Sequence, residues 1–469
     1  MSIELSGKKV TVIGLGITGF YTALYLSSRK ARVFVNDIKP EGRLNQEYVN
    51  RLKNLNIELK TGGYDERGIL ESDMIVISPG VPKDLSILKK AKKLNIPVIA
   101  EMELAYRMIK KPIIAITGTN GKSTVTSLIG HILKCAGIKV FVGGNIGRPL
   151  ISYLVHDKSA IDIIVLEVSS YQLDGIEKFS PFISIILNIT PDHLDRYTSF
   201  NEYVNSKLKI FKNQEKGSYV ILNDDDSLLA NAQPPSEARV LRYGVKRRQG
   251  RIAFIENRGN SSNSSIRVCF NKKELKFSLK NRSLLGLHNI TNLMPAIISS
   301  LILDVDKRII QDAINGFKGL PHRLEPVLEK NGILFIDDSK ATNVDSSVKA
   351  INSINRPIIL IAGGKDKGLD YRHLARMAKG KVKHAIFIGE TALILAKEFK
   401  NLVSSETAQD MYEAVSKAYS KAEKGEAILL SPACSSFDMF RDYSHRGETF
   451  KDAIRRIFDD SKGPINPPA

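Results

Sequence analysis

The sequence predicts an α/β fold in three domains, over residues 1–101, 102–320 and 321–469. Three observations carry this prediction. Short β-branched runs alternate with stretches of helical spacing along the chain, the pattern of parallel sheets joined by crossover helices. Two of the early runs feed directly into glycine-rich turns that open helices. Four further apolar runs fall in the last third, and three of them lead into polar loops. The length, 469 residues, agrees with about three domains at ~150 residues each.

The N-terminal segment begins with a strand at Lys9–Ile13. Gly14-Leu15-Gly16-Ile17-Thr18-Gly19 follows, then a helix over Phe20–Ser28. A second strand, Arg32–Asp37, ends in an acid 18 residues after Gly19. This is the dinucleotide fingerprint of a Rossmann-like sheet. What the fingerprint specifies is a diphosphate at a helix N-terminus, not a nicotinamide. Met74–Ile77 is a further strand, and the turn through Pro79, Gly80 and Val81 borders the same crevice. A nucleoside diphosphate fits this half as well as NAD does.

The central segment is organised around Ile113–Gly137. Ile113-Ile114-Ala115-Ile116 reads as a buried strand, and Thr117-Gly118-Thr119-Asn120-Gly121-Lys122-Ser123-Thr124 follows it. Val125, Leu128, Ile129, Ile132 and Leu133 then fall at helical spacing until Gly137 ends the pattern. Strand, glycine loop and helix give the context of a phosphate loop, although Ile116 stands where the common form has its first glycine. A plain glycine turn beside a surface lysine would not call for both flanking elements. ATP with Mg²⁺ is therefore the expected ligand: Lys122 reaches phosphate, and the Ser123 or Thr124 hydroxyl reaches the metal. Glu167 ends the apolar run Ile163–Leu166, where an unpaired carboxylate is costly to bury, and the metal is its expected partner. His193 lies in a polar cluster, Asn188–Arg196, just past the strand Phe182–Leu187, the edge at which open α/β sheets bind ligands. Tyr203–Phe211 reads as a helix in which spacing does not single out Lys207. Asn289 and Asn292 share a face of the helix opened by Leu287. Together these elements predict a P-loop-ATPase-like α/β domain. The polar stretch 245–265 reads as a surface loop between edge strands, with no assigned function.

The C-terminal segment follows a linker, Gly319-Leu320-Pro321-His322-Arg323. Strands at Ile333–Ile336, Pro357–Ala362, Ala385–Ile388 and Ala427–Leu430 predict a second Rossmann-like parallel sheet. Polar loops follow the first, second and last of these: Asp337–Asn343, Gly363–Gly368 and Ser431–Asp438. One such loop can be mere helix capping. Three at one edge of a sheet make a binding face, with Lys365 or Lys367 suited to a carboxylate. The Ser435–Phe437 backbone N–H groups, read as a helix start, suit another.

Composition bounds the function classes. Hydrophobic residues at 43% and charged residues at 25% describe a globular chain. No apolar run approaches the ~18 residues of a membrane span, and the first residues lack a signal peptide's apolar core. Cys135, Cys269 and Cys434 form no metal or disulfide pattern, which points to a reducing cytoplasm. The formal net charge of +19 raises nucleic-acid binding. Lys and Arg are spread along the chain, however, without a basic block or RNA-binding signature. The expectation is therefore no nucleic acid and no membrane insertion.

The motifs together resemble the Mur ligase family of peptidoglycan synthesis over essentially the whole length, and within it the branch that adds D-glutamate. Gly118–Thr124 matches the family's G-[ST]-N-G-K-[ST]-T, so the shortened phosphate loop is the family's own form. Glu167–Leu173, Asn188–Arg196 and His288–Asn292 match E-V-S-S-x-Q-L, N-x-x-x-D-H-L-D-R and H-N-x-x-N. The markers of the branch are Asp338–Asn343, Ser431–Asp438 and Arg446-Gly447-Glu448. The D-N-P-R signature of the diaminopimelate-adding relatives is absent.

The resemblance implies an ATP-dependent, cytoplasmic ligase of cell-wall biogenesis, and hence of cell shape and division. It would join D-glutamate to UDP-N-acetylmuramoyl-L-alanine through an acyl phosphate, giving ADP and phosphate, and would act as a monomer. Lys122, His193, Lys207 and Lys340 carry catalysis. Gly118, Thr119, Asn120, Gly121, Lys122, Ser123 and Thr124 hold ATP, joined by Asn289, Asn292, Arg323, Asp338 and Lys340. Ser123, Glu167, His193 and Lys207, the last as a carbamate, hold two Mg²⁺ ions. Gly14, Gly16, Thr18, Asp37, Gly80, Asn145 and Gln172 face the UDP-sugar, with Ile38-Lys39 after Asp37 a departure from the family pattern. Thr342, Lys367, Ser436, Phe437 and Tyr443 receive D-glutamate. A folylpolyglutamate-synthetase-like ligase shares the ATP domain but lacks this N-terminal sheet. A nicotinamide oxidoreductase explains residues 1–101 alone. A non-catalytic ATP-binding protein leaves the last sheet's polar edge unexplained.

Overall fold

Runs of β-branched residues buried on both faces form the centres of three sheets. The computed structural model describes residues 3–156, 160–192, 196–257, 264–280 and 286–458. The first sheet comprises β1 (Lys9–Ile13), β2 (Arg32–Asp37), β3 (Glu58–Thr61), β4 (Met74–Ile77) and β5 (Val98–Ala100). All pairs are parallel, in the order β3-β2-β1-β4-β5. The chain moves one way from β1 and then returns to its other side. The crevice between the ends of β1 and β4 is therefore the topological switch point.

The second sheet has nine strands: β6 (Ile113–Thr117), β7 (Val140–Gly144), β8 (Ile163–Glu167), β9 (Ile183–Ile186), β10 (Tyr219–Asn223), β11 (Arg239–Tyr243), β12 (Arg251–Glu256), β13 (Ser265–Phe270) and β14 (Lys273–Ser278). Their order is β14-β13-β12-β11-β10-β9-β6-β8-β7. β12 to β14 pair antiparallel and close one edge. This corrects the loop expected over 245–265. Residues 251–256 are a strand whose polar ends, Arg251 and Glu256, disguised it; residues 258–263 lie outside the described residues.

The third sheet contains β15 (Glu325–Lys330), β16 (Ile333–Asp337), β17 (Ile358–Gly363), β18 (Val382–Ile388), β19 (Ser404–Thr407) and β20 (Ala427–Leu430), ordered β15-β16-β20-β17-β18-β19. It is mixed rather than purely parallel, because β15 pairs antiparallel with β16 as an edge strand. Pro326, which donates no ladder hydrogen bond, is tolerated only at such an edge. Apolar clusters cover both faces, one around Leu360 and Phe387 and the other around Phe335 and Ile386.

By packing, the chain forms two compact units. One comprises Met1–Ile189, Ser199–Lys280 and Leu293–Ile314; the other comprises Thr190–Thr198, Asn281–Asn292 and Asn315–Ala469. The first unit contains the first two sheets. Glu103, fully buried in the helix Glu101–Met108, joins them: its carboxylate accepts N–H groups of Glu177, Lys178 and Phe179 at 3.0, 2.9 and 3.1 Å and pairs with Arg107 at 2.8 Å. The second unit contains the third sheet and takes in Thr190–Thr198, Asn281–Asn292 and residues 315–320 from the expected 102–320 block. Among the described residues no helix is long and apolar enough to cross a membrane.

Candidate active site

In the first unit, β6 is wholly buried and delivers the loop Gly118–Gly121 to the helix Lys122–Cys135. Gly118 has φ +148°, and a Cβ there would stand 3.1 Å from Leu187 Cβ and 3.3 Å from Asn188 N. Gly121, at φ +87°, caps the helix in the left-handed region. Both positions therefore need glycine. Asn188, at the end of β9, holds the loop: its Oδ1 accepts Asn120 N–H at 2.8 Å, its Nδ2 donates to Asn120 O at 3.0 Å, and its carbonyl accepts Thr119 N–H at 2.9 Å. Asn188 opens the motif Asn188–Arg196, which by itself gives it no role. Its signal was position, directly past a strand neighbouring β6.

Lys122 lies back over this loop and donates to Gly118 O at 2.9 Å and Thr119 O at 2.8 Å. Lys207 is 2% exposed, donates to Gly118 O at 2.9 Å and stands 4.6 Å from the centre of the Tyr203 ring. Spacing alone had not distinguished this lysine, yet the fold brings it against the phosphate loop. Ser123 and Thr124 are buried at the helix start.

Glu167, at the end of β8, is 2% exposed and in register with Ile116 of β6. Its Oε1 accepts from Asn145 Nδ2 at 2.8 Å, while its buried Oε2 has no hydrogen-bond partner. A buried carboxylate oxygen without a donor calls for a proton or a cation, and beside this loop the residues present fit Mg²⁺. Gln172 is drawn into a capping box, its Oε1 accepting Ser169 N–H at 3.0 Å. His193 lies outside the described residues.

At the other glycine loop, Asp37 serves the backbone. Its Oδ2 accepts Leu15 N–H at 2.6 Å and its Oδ1 accepts Lys39 N–H at 2.8 Å. Gly14, at φ +93°, meets Ser78, whose hydroxyl donates to Gly14 O at 2.9 Å. Gly16 and Gly80 are exposed and Thr18 is half-buried beside the β1–β4 crevice.

In the second unit, the three expected loops follow β16, β20 and β17, which are adjacent strands. Arg446, fully buried in the helix Tyr443–Phe458, ties them together. Its guanidinium donates to Ser339 O at 2.8 Å, Ser339 Oγ at 3.1 Å, Cys434 O at 3.1 Å and Ser435 O at 3.2 Å, with Gly363 O at 3.5 Å. Burial lowers its pKa to about 10. Lys365 N–H donates to Ser435 O at 2.9 Å, joining the second and last loops.

The structure separates the two candidate lysines. Lys365 Nζ pairs with Glu390 at 2.9 Å, whereas half-buried Lys367 makes no side-chain hydrogen bond or ion pair among the described residues. Ser436 is buried and Phe437 is 71% exposed. Both stand in a turn, and the helix begins only at Tyr443. The helix start expected at Ser435–Phe437 is thereby corrected, since Pro432 and the buried Cys434 carry the chain through an irregular loop first. Lys340 Nζ lies 4.9 Å from the Tyr443 ring centre. Thr342 is half-buried and precedes Asn343, whose Oδ1 caps the next helix through Ser346 N–H.

Asp338 is buried, accepting Leu324 N–H at 3.1 Å and the Ser431 hydroxyl at 2.9 Å. Burial raises its pKa to about 7. His322 at φ +62° places Nδ1 2.7 Å from Asp337 Oδ2, beside Arg323 in the linker. This His–Asp pair was missed, because a histidine in a linker carries no spacing signal. Asn289 and Asn292 are buried, 3.4 Å apart through their side chains.

Family models match most of the chain. A Mur ligase MurD-like N-terminal domain matches residues 8–100, a Mur ligase middle domain 116–300 and a Mur ligase glutamate ligase domain 322–434. The UDP-N-acetylmuramoylalanine–D-glutamate ligase of Geotalea daltonii is 44% identical over 455 residues, covering 97% of this chain and 99% of that protein. Among solved structures, a pseudomurein peptide ligase type C from Methanothermus fervidus aligns with TM-score 0.62 at 23% identity, covering 96% and 100% of the two chains. The MurF ligase of Thermotoga maritima in complex with ADP aligns with TM-score 0.61 at 14% identity, covering 97% and 100%. At these identities the structural likeness is one of fold.

Proposed function

The chain belongs to the Mur ligase family, and from that premise we propose that it is the ATP-dependent ligase joining D-glutamate to UDP-N-acetylmuramoyl-L-alanine in peptidoglycan precursor synthesis. The observation that carries this reading is the 44% identity across 97% of the chain to a D-glutamate ligase, which spans all three sheets rather than the phosphate loop alone. Residues 1–101 would hold the UDP-sugar, 102–320 ATP and 321–469 the amino acid. The protein would act as a cytoplasmic monomer that binds no nucleic acid.

A carboxylate resists attack by an amine because its leaving group is oxide. The alanyl carboxylate first attacks the γ-phosphorus of ATP, and ADP leaves. The D-glutamate amine then attacks the acyl carbon, loses a proton, and phosphate departs from the tetrahedral intermediate. Lys122 would stabilise charge on the phosphoryl oxygens. Ser123, Glu167, His193 and a carbamate on Lys207 would hold Mg²⁺; once bound, the metal offsets charge at the transferring group. A carbamate suits Lys207 because a buried ammonium is costly beside a cation, whereas the carbamate is an anionic ligand. Asn289, Asn292, Arg323, Asp338 and Lys340 would line the nucleotide. Lys367, with Thr342, Ser436, Phe437 and Tyr443, would orient the acceptor so that its amine meets the acyl phosphate before water does. Gly14, Gly16, Thr18, Asp37, Gly80, Asn145 and Gln172 would face the UDP-sugar.

The test is phosphate release from ATP with UDP-N-acetylmuramoyl-L-alanine, comparing D-glutamate, L-glutamate and no amino acid. Release that depends on D-glutamate is expected. Release indifferent to the amino acid would overturn the assignment.

A further inference from the structure

Away from these loops, the antiparallel edge of the nine-stranded sheet carries a second site. β14 is the outermost strand, and the helix Lys307–Gly316 is clamped to it by one side chain. Gln311 Oε1 accepts Ser278 N–H at 2.8 Å, and Gln311 Nε2 donates to Ser278 O at 3.1 Å. The clamp satisfies edge-strand backbone groups that would otherwise be open to pairing. Strand and helix leave a groove of about 690 Å³ between them.

The lining of this groove is cationic. Lys276, Lys307 and Arg308 project from the two elements, against the single carboxylate Asp312. None of the three cations forms an ion pair among the described residues. Lysine and arginine side chains elsewhere on this surface do find acids: Arg267 pairs with Glu256 and Glu274 on the same strands. Ser265 supplies an independent sign of a ligand. It lines the groove, is 1% exposed, and its hydroxyl has no hydrogen-bond partner. A buried hydroxyl without a partner in a native fold calls for an explanation, and an unplaced acceptor is the simplest one. The helix N-terminus adds positive potential, although Asp306 Oδ1 already accepts Arg308 N–H at 2.7 Å.

We infer that this groove binds a phosphate-bearing anion, at a site separate from the phosphate loop Gly118–Thr124. Three cations and a hydroxyl match phosphate oxygens, which accept several charge-assisted hydrogen bonds at once. The volume falls in the range that holds a ligand of nucleotide size. The phosphate can belong to a free metabolite or to a lipid headgroup.

The experiment titrates the full-length protein with inorganic pyrophosphate by calorimetry at about 0.15 M salt, without nucleotide, and assigns heat to the groove by its loss in the variants. A parallel arm measures co-flotation with phosphatidylglycerol vesicles. The variants are the Lys307→Glu/Arg308→Glu pair, Lys276→Gln and Ser265→Ala. Saturable pyrophosphate binding is expected, weakened at least tenfold in the charge-reversed pair and severalfold in Ser265→Ala, with D-glutamate-dependent phosphate release unchanged. Vesicle binding abolished by the charge reversal, without pyrophosphate binding, supports the site and identifies a headgroup as the source. Binding of neither probe, or binding undiminished by the substitutions, would overturn the inference. Lys276→Gln carries the same test should the charge-reversed pair fail to fold.

Discussion

Two buried glutamates stand at the C-terminal ends of parallel strands, and they differ in what surrounds their second oxygen. Glu101 follows β5 and is 1% exposed; Glu167 ends β8 and is 2% exposed. Each has one oxygen hydrogen-bonded, Glu101 to Ile151 N–H at 2.9 Å and Glu167 to Asn145 Nδ2 at 2.8 Å, and one without a partner. Burial raises the pKa of Glu101 to about 7, so a proton meets its need. Glu167 stands in register with the strand that feeds the phosphate loop, where a divalent cation can meet it. The same side chain, equally buried, suits a proton in one place and a cation in the other.

The largest expected effect separates the two by isosteric change. Glu167→Gln should lower D-glutamate-dependent phosphate release by about 100-fold or more, since removing a metal's anionic ligand forfeits several kcal/mol of charge stabilisation. Glu101→Gln should stay within about twofold of wild type. Equal losses in the two variants would break the distinction.

Stability against pH sharpens it next. The folded pKa of Glu101, about 7, lies above the unfolded value of 4.5. Its contribution is therefore fully present below about pH 4.5 and lost as pH rises through 7. Urea unfolding at pH 5 and pH 8.5 should show wild type losing about 3 kcal/mol that Glu101→Gln does not lose. Parallel pH profiles would show that Glu101 does not carry the slope.

A third change acts on the donor to Glu167. Asn145→Ala should raise the Mg²⁺ concentration for half-maximal rate by about 10-fold, as loss of an orienting partner commonly does. An unchanged Mg²⁺ requirement would mean that Asn145 orients nothing. The smallest effect is expected at Gly80, past the end of β4, where an added Cβ meets nothing within 4 Å. Gly80→Ala should leave the melting temperature within about 1 °C.

Glu167 was legible in the sequence because a carboxylate closing a buried apolar run is conspicuous. Glu101 was not, since an acid opening a helix reads as an ordinary complement to the helix dipole. The phosphate loop was legible because strand, glycines and helix are all local. The proximity of Lys207 to Gly118 was not, since 89 residues separate them. In the third sheet, β16, β17 and β20 and their loops were read from alternation alone, whereas β15 and β19, short edge strands with half-polar faces, carried too little apolar signal. The choice between Lys365 and Lys367 depended on Glu390, a partner supplied by a different loop.

Arg446 has a consequence for engineering. One guanidinium reaches carbonyls of all three loops beyond β16, β17 and β20. Those loops are thus not interchangeable cassettes: grafting one from a relative imports its own carbonyl positions against a shared hub, and a misfit is transmitted to the other two. Redesigning this edge of the sheet would demand moving all three loops together with the helix that carries the arginine, or altering side chains while leaving every backbone carbonyl where it stands.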